Sequence, residues 1–317
     1  MDLTPIIKDL NEKAKENNPL EAGDYVGENG LMFCGKCKSA KETIVDILGT
    51  ATKVRCLCEC GKVKRDKDDL TRQIGSLEME YHRAKANLGE RDLLNWIKRS
   101  NYKISPYLVE EKKRLMISRC YPTSSEKKRL KTFENDNGKN PAIMRIAKNY
   151  AERFDEMQEK GKGLVLFGNC GVGKTYAALC IANYLLDRDK ECFVTNFSRL
   201  ANISDSPMKR QEEIDRLNEF DLIVLDDMGI ERTSTFMNEI VYSVIDSLIT
   251  ARKCVIITTN LTAAEIKKPN DVSKERIYQR LFEGTIPINV DGINNRVELL
   301  KQDYEYYKQI LEFRLRK

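Results

Sequence analysis

The stretch "GLVLFGNCGVGKTYAALC", residues 163–180, constrains the fold of this 317-residue chain more than any other segment. It places an apolar run, a glycine-rich turn and a helix-forming segment in that order, and residues 168–175 match the pattern G-x-x-x-x-G-K-[ST]. Backbone N–H groups of such a loop surround phosphates, Lys174 adds a positive charge, and the Thr175 hydroxyl can ligate Mg²⁺. A chance glycine turn is the alternative, and the flanking strand and helix argue against it. We therefore predict an ATP–Mg²⁺ site with nucleotide contacts from Gly168, Asn169, Cys170, Gly171, Val172, Gly173, Lys174, Thr175 and Tyr176.

Two further apolar runs end in polar side chains. "DLIVLDD" ends in Asp226 and Asp227, and "CVIITTN" ends in two threonines and Asn260. Asp226 is predicted to hold Mg²⁺ through water, Asp227 to orient the attacking water, and Asn260 to hydrogen-bond that water or the γ-phosphate. Acids, threonines and asparagine also simply end strands, and that alternative is weakest for the two aspartates because the phosphate loop accompanies them.

From about residue 133 onward, strand-like runs alternate with helix-like segments, which is typical of a parallel α/β sheet flanked by helices. Changes in composition predict three regions: a cysteine-rich domain at 1–68, a charged helical linker at 69–132 and a domain with the phosphate loop at 133–317. The linker contains a strongly basic stretch at 110–131. For that stretch a solvated helical face is favoured over a phosphate-binding patch.

Five of the ten cysteines crowd into "CGKC" and "CLCEC", about twenty residues apart: Cys34, Cys37, Cys56, Cys58 and Cys60. Four thiolates suit a structural Zn²⁺, which would hold together a segment too small to fold around a core of its own. The sequence does not show which four bind, and an iron–sulfur cluster or a redox pair are the alternatives. The single histidine, His82, is too far along the chain to be an expected ligand.

The other cysteines lie in apolar surroundings and are interpreted as small buried apolar residues: Cys120, Cys170, Cys180, Cys192 and Cys254. No apolar run reaches the roughly 20 residues needed to cross a bilayer, and the first residues lack the features of a secretory signal. We therefore expect a cytoplasmic protein with reduced thiols. The formal charge of +5 is only a weak indication of nucleic-acid binding.

The runs "GKGLVLFGNCGVGKTYAALCIANYLL", "DLIVLDDMGIERTS", "VIITTNLT", "ERIYQRL" and "INNRVELLK" occur in this order. Together they resemble the AAA+ ATPases of the bacterial and phage helicase-loader family, the DnaC/DnaI type, over about residues 130–305. The IstB-type transposition ATPases share much of this core. The resemblance implies an AAA+ fold in which copies assemble side by side, with the nucleotide at the seam between neighbours.

The resemblance also implies roles for three arginines. Arg280 matches the finger that reaches the γ-phosphate of the adjacent subunit, with Arg276 beside it at the seam, and Arg296 matches the second sensor within its own subunit. A solvated basic helix face is the alternative for the first two. Many members carry glutamate where this chain has Asp227, so slow turnover is expected, with ATP acting as a switch.

The family implies a loader of the replicative DNA helicase, a DnaB-type hexamer. The N-terminal zinc region would grip the helicase, and the ATPase domain would bind single-stranded DNA and its own copies. The main alternative is an IstB-type helper that binds duplex DNA and recruits a transposase; the cysteine module argues against it. A third reading is an adaptor that senses ATP and hardly hydrolyses it. A small-molecule kinase is disfavoured, because "TTN" and the seam arginines would have no role there.

Overall fold

The structure is a computed structural model. It describes residues 9–308, except 10–11, 17, 48–49, 123–124, 197–198, 200–206, 230–234, 268–271, 296, 298–299, 301–303, 305 and 307. The chain forms two compact units, Met1–Val109 and Glu110–Lys317. Each unit is described on its own.

The first unit holds two small antiparallel sheets and a helical pair. Its elements are β1 (Tyr25–Val26), β2 (Met32–Phe33), β3 (Glu42–Ile47), β4 (Thr50–Arg55), α1 (Glu59–Asn87), α2 (Glu90–Arg99) and a 3₁₀ turn (Tyr102–Ile104). Strand β1 pairs with β2, and β3 pairs with β4. Helix α1 begins at the cysteine pair, where Cys58 Sγ accepts a hydrogen bond from the Gly61 N–H at 3.4 Å.

Helices α1 and α2 pack through an apolar face. Tyr81 of α1 is fully buried, as are Leu94 and Ile97 of α2. The Tyr81 ring lies 6.2 Å from the ring of Trp96 and 5.7 Å, edge to face, from that of Tyr107. This aromatic cluster explains how a helix as long and charged as α1 is held in place.

The second unit is built on a five-stranded sheet. Its helices are α3 (Pro106–Cys120, which begins in the first unit), α4 (Ser125–Arg129), α5 (Pro141–Glu152), α6 (Phe154–Lys160), α7 (Lys174–Leu186), α8 (Pro207–Leu217), α9 (Thr235–Thr250), α10 (Ala263–Lys267) and α11 (Val272–Gly284). Its strands are β5 (Gly163–Phe167), β6 (Cys192–Asn196), β7 (Leu222–Met228), β8 (Cys254–Thr259) and β9 (Thr285–Asn289).

All neighbouring strands in this sheet are parallel, in the order β6-β7-β8-β5-β9. The predicted fold class is therefore confirmed: a parallel sheet flanked by helices, with a cysteine cluster near the N-terminus. Strand β5, which leads into the phosphate loop, lies between β8 and β9 rather than beside β6. Such a reversal of strand order is where α/β sheets bind ligands.

The inner strands are buried on both faces, as their continuous apolar runs predict. On one face Ile223 and Ile257 pack with side chains of α8, α9 and α11 in a single core cluster. On the other face Leu222, Val224 and Ile256 are equally buried, and α7 packs against β6, β7 and β8. The sheet is thus fixed from both sides, and its carboxyl edge is a rigid base for side chains.

Asn183 on α7 holds the segment before the five-stranded sheet against the helix that follows the phosphate loop. Its amide oxygen accepts from the Tyr121 hydroxyl at 2.7 Å and from Arg129 Nη1 at 3.2 Å. Its amide nitrogen donates to the carbonyl oxygens of Lys128 and Lys131 at 2.9 and 2.8 Å. One buried side chain therefore satisfies four groups.

The basic stretch at 110–131 serves the same attachment. Lys112 pairs with Asp189 at 2.7 Å, Arg119 with Glu191 at 2.9 Å, and Arg129 with Asp187. The side chains of Lys112 and Arg119 are only 6% and 11% exposed. At these three positions the expectation of a solvated basic face is wrong, because each cation has an acidic partner far along the chain.

The compact units meet at residues 109 and 110, whereas the sequence predicted functional limits at 68 and 132. Residue 68 lies inside the uninterrupted helix α1. The three-region division stays a prediction about function. In the part of the chain that the structure describes, no helix combines the length and apolar character needed to span a membrane.

Replacing Asn183 by alanine tests the attachment. The Tyr121 hydroxyl and the Lys128 and Lys131 carbonyls would lose buried partners, so the free energy of unfolding should fall by about 2–4 kcal/mol. Circular dichroism should follow urea unfolding, because the single tryptophan, Trp96, reports only the first unit. The control Asn149→Ala, at an exposed position of α5, should change the free energy by less than about 0.5 kcal/mol. Equal effects of both variants would contradict the attachment.

Candidate functional site

The loop between β5 and α7 has the backbone of a phosphate cradle. Gly168 and Gly173 have φ of +132° and +104°, values that other residues rarely adopt. A Cβ atom at Gly168 would also lie 2.5 Å from the Val290 carbonyl oxygen. Glycine is therefore required there both for its conformation and for the close approach of the segment after β9.

Lys174 joins the loop to the end of β8. Its Nζ donates to the carbonyl oxygens of Gly168 at 2.8 Å and Asn169 at 2.6 Å, and to Asn260 Oδ1 at 2.9 Å. The residue is only 5% exposed, and a buried ammonium needs partners of this kind. The structure thus brings together two residues, Lys174 and Asn260, that the sequence assigned to one site from separate motifs.

Asp226 lies beside Thr175, the second residue of α7 and a predicted metal ligand. Thr175 Oγ1 donates to Asp226 Oδ1 at 2.8 Å, and Thr258 Oγ1 donates to the same oxygen at 2.5 Å. A hydroxyl and a carboxylate side by side are the oxygen donors that Mg²⁺ prefers, so these residues fit the predicted magnesium site. Asp227, the next residue, lines the cavity described below.

A cavity of about 550 Å³ lies over the loop. It is lined by 170–176 of the loop, by Asp227 and Asn260, and by Ile143, Met144 and Leu179. Its size and mixture of polar and apolar walls suit a nucleotide, with the apolar side chains available to a base. The predicted nucleotide-binding residues from Cys170 to Tyr176 therefore all line one cavity. The other two, Gly168 and Asn169, accept hydrogen bonds from Lys174 through their carbonyl oxygens.

Sequence reasoning missed the wall of this cavity that α5 provides. Ile143 and Met144 lie on an apolar helical face that reads as ordinary core packing, so periodicity could not distinguish the two uses. Asn140, just before α5, was also missed. Its Nδ2 donates to the carbonyl oxygens of Val172 and Asp291, both at 3.0 Å, and so ties the phosphate loop to the segment after β9.

The predicted seam arginines lie on α11. Arg280 donates from Nε to Asp246 Oδ1 at 2.8 Å and from Nη2 to Thr250 Oγ1 at 2.6 Å, and it pairs with Glu283. The guanidinium of the exposed Arg276 lies 5.0 Å from the ring centre of Tyr242. Neither belongs to the residues that line the cavity over the loop. Arg296 lies outside the described residues; its neighbour Asn295 lines the cavity and donates its N–H to the Gly171 carbonyl at 3.0 Å.

Four of the five N-terminal cysteines form one cluster. The Sγ atoms of Cys34, Cys37, Cys58 and Cys60 all lie within 4.8 Å of one another. Cys56 is the spare, because its Sγ points at the Ala40 carbonyl oxygen at 3.6 Å. Four sulfurs from two close pairs fit a structural zinc site, and the hydroxyl of Ser39 lowers the pKa of the Cys37 thiol to about 5.

The scattered cysteines separate into two kinds. Cys120, Cys180, Cys192 and Cys254 are buried, as predicted, and burial raises the pKa of the Cys180 thiol to about 12. For Cys170 the prediction is wrong: it is exposed and lines the nucleotide cavity. The reason is its place in the phosphate loop, outside the apolar strands and helices that form the core.

Serine substitutions test the zinc site. Cys34→Ser, which removes a buried ligand, should lower bound zinc from one ion per chain to well below one, because three thiolates and a hydroxyl hold zinc poorly. Cys56→Ser is the matched control and should retain one ion. Metal content of protein purified without chelator, measured by native mass spectrometry, gives both numbers. Full retention in the Cys34 variant together with loss in the Cys56 variant would contradict the assignment.

The part of the chain from 140 to 274 is similar to a known protein family. Residues 140–274 match the family described as "IstB-like ATP binding protein". The replicative helicase loader DnaI of Bacillus subtilis (strain 168) is 26% identical over 180 residues, which is 52% of this chain and 58% of that protein. The replicative helicase loader DnaC of Escherichia coli (strain K12) is 23% identical over 243 residues, 72% of this chain and 96% of that protein. The chain therefore carries an IstB/DnaC-like domain.

Two solved structures whose titles carry the names DnaI and DnaC are also similar to this chain. A crystal structure of DnaI has a TM-score of 0.45 at 24% identity, covering 55% of this chain and 94% of that one. A crystal structure of the DnaC helicase loader has a TM-score of 0.46 at 20% identity, covering 52% and 99%. The sequence match to the Bacillus protein spans less than two thirds of that protein's length.

Proposed function

We propose that this chain, with its IstB/DnaC-like domain, is an ATP-dependent loader of the replicative DNA helicase. The observation that carries the proposal is the combination of a four-cysteine cluster in one unit with a phosphate-loop ATPase site in the other. Relatives that bear the name replicative helicase loader support it. A loader of this kind would act in the cytoplasm, which is also the location that the sequence predicts.

The nucleotide site supports a chemistry of phosphate binding and slow hydrolysis. Lys174 would exchange its carbonyl partners for β- and γ-phosphate oxygens, and Thr175 and Asp226 would hold Mg²⁺, which neutralises charge on those oxygens. Asp227 would orient the attacking water, and Asn260 would hydrogen-bond that water or the γ-phosphate. An aspartate reaches one methylene less far than glutamate, so turnover would be slow and ATP would serve mainly as a switch.

Self-association would complete the site. Arg280 would act in the catalytic site of the adjacent subunit, with Arg276 beside it and Arg296 on the nucleotide of its own subunit. In the single chain Arg280 is held by Asp246, Thr250 and Glu283, so engaging a neighbour's γ-phosphate requires the exchange of those partners. This exchange would link assembly to the presence of ATP.

The two units would bind different partners. The first unit, stabilised by zinc, would grip a DnaB-type hexamer, and the ATPase unit would bind single-stranded DNA through backbone contacts that weaken with salt. Three cations of the basic stretch are already neutralised by Asp189, Glu191 and Asp187, so they are poor candidates for the DNA contact.

A transposition helper of the IstB type is the second candidate, because the matched family description covers that type as well. It would bind duplex DNA and recruit a transposase. ATP turnover with and without single-stranded DNA separates both motors from an adaptor that only senses ATP. The cysteine cluster favours the loader, since it resembles the N-terminal module of those proteins.

The proposal is tested by size-exclusion chromatography with light scattering on the full chain mixed with the replicative helicase of its host, with and without ATP. Co-elution as a defined complex is expected. The double variant Cys34→Ser/Cys37→Ser should abolish the complex and Cys56→Ser should not. A wild-type chain that forms no complex, and instead binds duplex DNA in the presence of ATP, would replace the loader by the transposition helper.

Lys174→Ala and Arg280→Ala should have different effects. Removing Lys174 deletes the charge at the phosphates and should abolish binding of a fluorescent ATP analogue. Removing Arg280 should leave that binding within about twofold but abolish ATP-dependent assembly, measured by light scattering. Arg153→Ala is the control, because Arg153 pairs with the glutamate three residues later, Glu156 at 2.6 Å, as Arg280 pairs with Glu283. Retained assembly in the Arg280 variant would exclude Arg280 as the finger.

A further inference from the structure

Strand β7 contains an irregularity at its two aspartates. Leu225 is paired with Ile257 of β8 and Met228 with Thr259, so two residues of β7 oppose the single Thr258 of β8. This is a β-bulge, which re-aims side chains at the place where it occurs. Asp227 within the bulge has φ of +58°, a left-handed backbone that costs free energy in a residue with a Cβ.

Thr258 supports both residues of the bulge with one hydroxyl group. The Asp227 N–H donates to Thr258 Oγ1 at 3.0 Å, and Thr258 Oγ1 lies 2.5 Å from Asp226 Oδ1. An N–H can only donate, so the hydroxyl accepts there and its own hydrogen points at the Asp226 carboxylate. Thr258 is fully buried, so water cannot take over either contact.

The carboxylate of Asp226 therefore accepts hydrogen bonds from two hydroxyl groups, those of Thr175 and Thr258, to which we assign different roles. Thr175, the other donor, is expected to turn its oxygen to Mg²⁺ when nucleotide binds. Thr258 lies within β8 and is fully buried, so we expect its hydroxyl to keep its direction when nucleotide binds. Its β-branched side chain has few rotamers, so the hydroxyl is held in one direction.

We propose that Thr258 is a positioning residue of the magnesium site: its hydroxyl aims the Asp226 carboxylate and stabilises the left-handed backbone that presents Asp227 to the cavity. The proposal rests on the proposed ATPase function and deepens it. Hydrogen-bond partners of metal ligands change metal affinity by about 10- to 100-fold when they are removed. Thr258 should therefore act on the Mg²⁺ dependence of nucleotide binding, which a residue with a merely structural role would not change.

Thr258→Val in the full chain removes the hydroxyl at nearly constant volume. Binding of a fluorescent, non-hydrolysable ATP analogue is titrated with Mg²⁺, and binding in excess chelator gives the affinity without metal. The half-saturating Mg²⁺ concentration should rise about tenfold, while the affinity without metal stays within about twofold. Thr258→Ser restores the hydroxyl and should return the Mg²⁺ value to within about threefold of wild type.

Thr259→Val is the matched control. Thr259 is also a buried threonine of β8, but its hydroxyl donates to the Met228 carbonyl at 2.7 Å and accepts from the Leu261 N–H at 3.2 Å. It should leave the Mg²⁺ dependence unchanged even if thermal stability falls.

The outcomes distinguish the alternatives. An unchanged Mg²⁺ dependence in Thr258→Val, or an equal loss with and without metal, would overturn the proposal, and so would an equal effect of Thr259→Val. If Thr258→Val does not fold, Thr258→Ala removes the same hydroxyl, and a wild-type Mg²⁺ dependence in Thr258→Ala overturns the proposal. A wild-type chain that binds no ATP analogue refutes the ATPase function itself.

Discussion

The nucleotide site depends on how one buried positive charge is compensated. Lys174 lies at the carboxyl edge of the sheet, where an isolated ammonium would cost several kcal/mol, and three oxygens surround it. Two come from the phosphate loop and the third from Asn260. The parallel register of β5 and β8 makes this arrangement possible, because it places Phe167 opposite Thr259 and so Gly168 near Asn260. The charge thus fixes the loop to the sheet and holds it where phosphate oxygens can replace the carbonyls.

The same edge shows which parts of the site the sequence could predict. Lys174, Asp226 and Asn260 each follow or precede a recognisable apolar run, and parallel strands must end at one edge, so their proximity could be predicted. The bulge could not, because its left-handed residue is Asp227 and no glycine marks the position. The contact from Thr258 to Asp226 depends on the bulge, so the sequence could not predict it either. Local patterns predict where strands end, but not how their ends are bent.

Pairing over long distances explains the other differences. Arg119 meets Glu191 and Glu219, which lie 72 and 100 residues further along the chain, so its stretch reads as free basic surface in the sequence. Among the cysteines, spacing offered five candidates for four places. The fold distinguishes them. Cys56 follows the β3–β4 hairpin with its thiol towards Ala40, whereas Cys58 and Cys60 lie at the start of α1. In both cases the missing information was the direction of a side chain in the folded unit.

In the proposed function, ATP at the phosphate loop would control the placement of a helicase on DNA. Helicase retained on closed circular single-stranded DNA after a high-salt wash measures this directly, because a ring helicase cannot thread onto a circle without being opened. The proposed loader should give retention that requires both this protein and ATP, and no retention with a linear duplex of the same length. Helicase retention that is equal with and without ATP, or absent under all conditions, would contradict it.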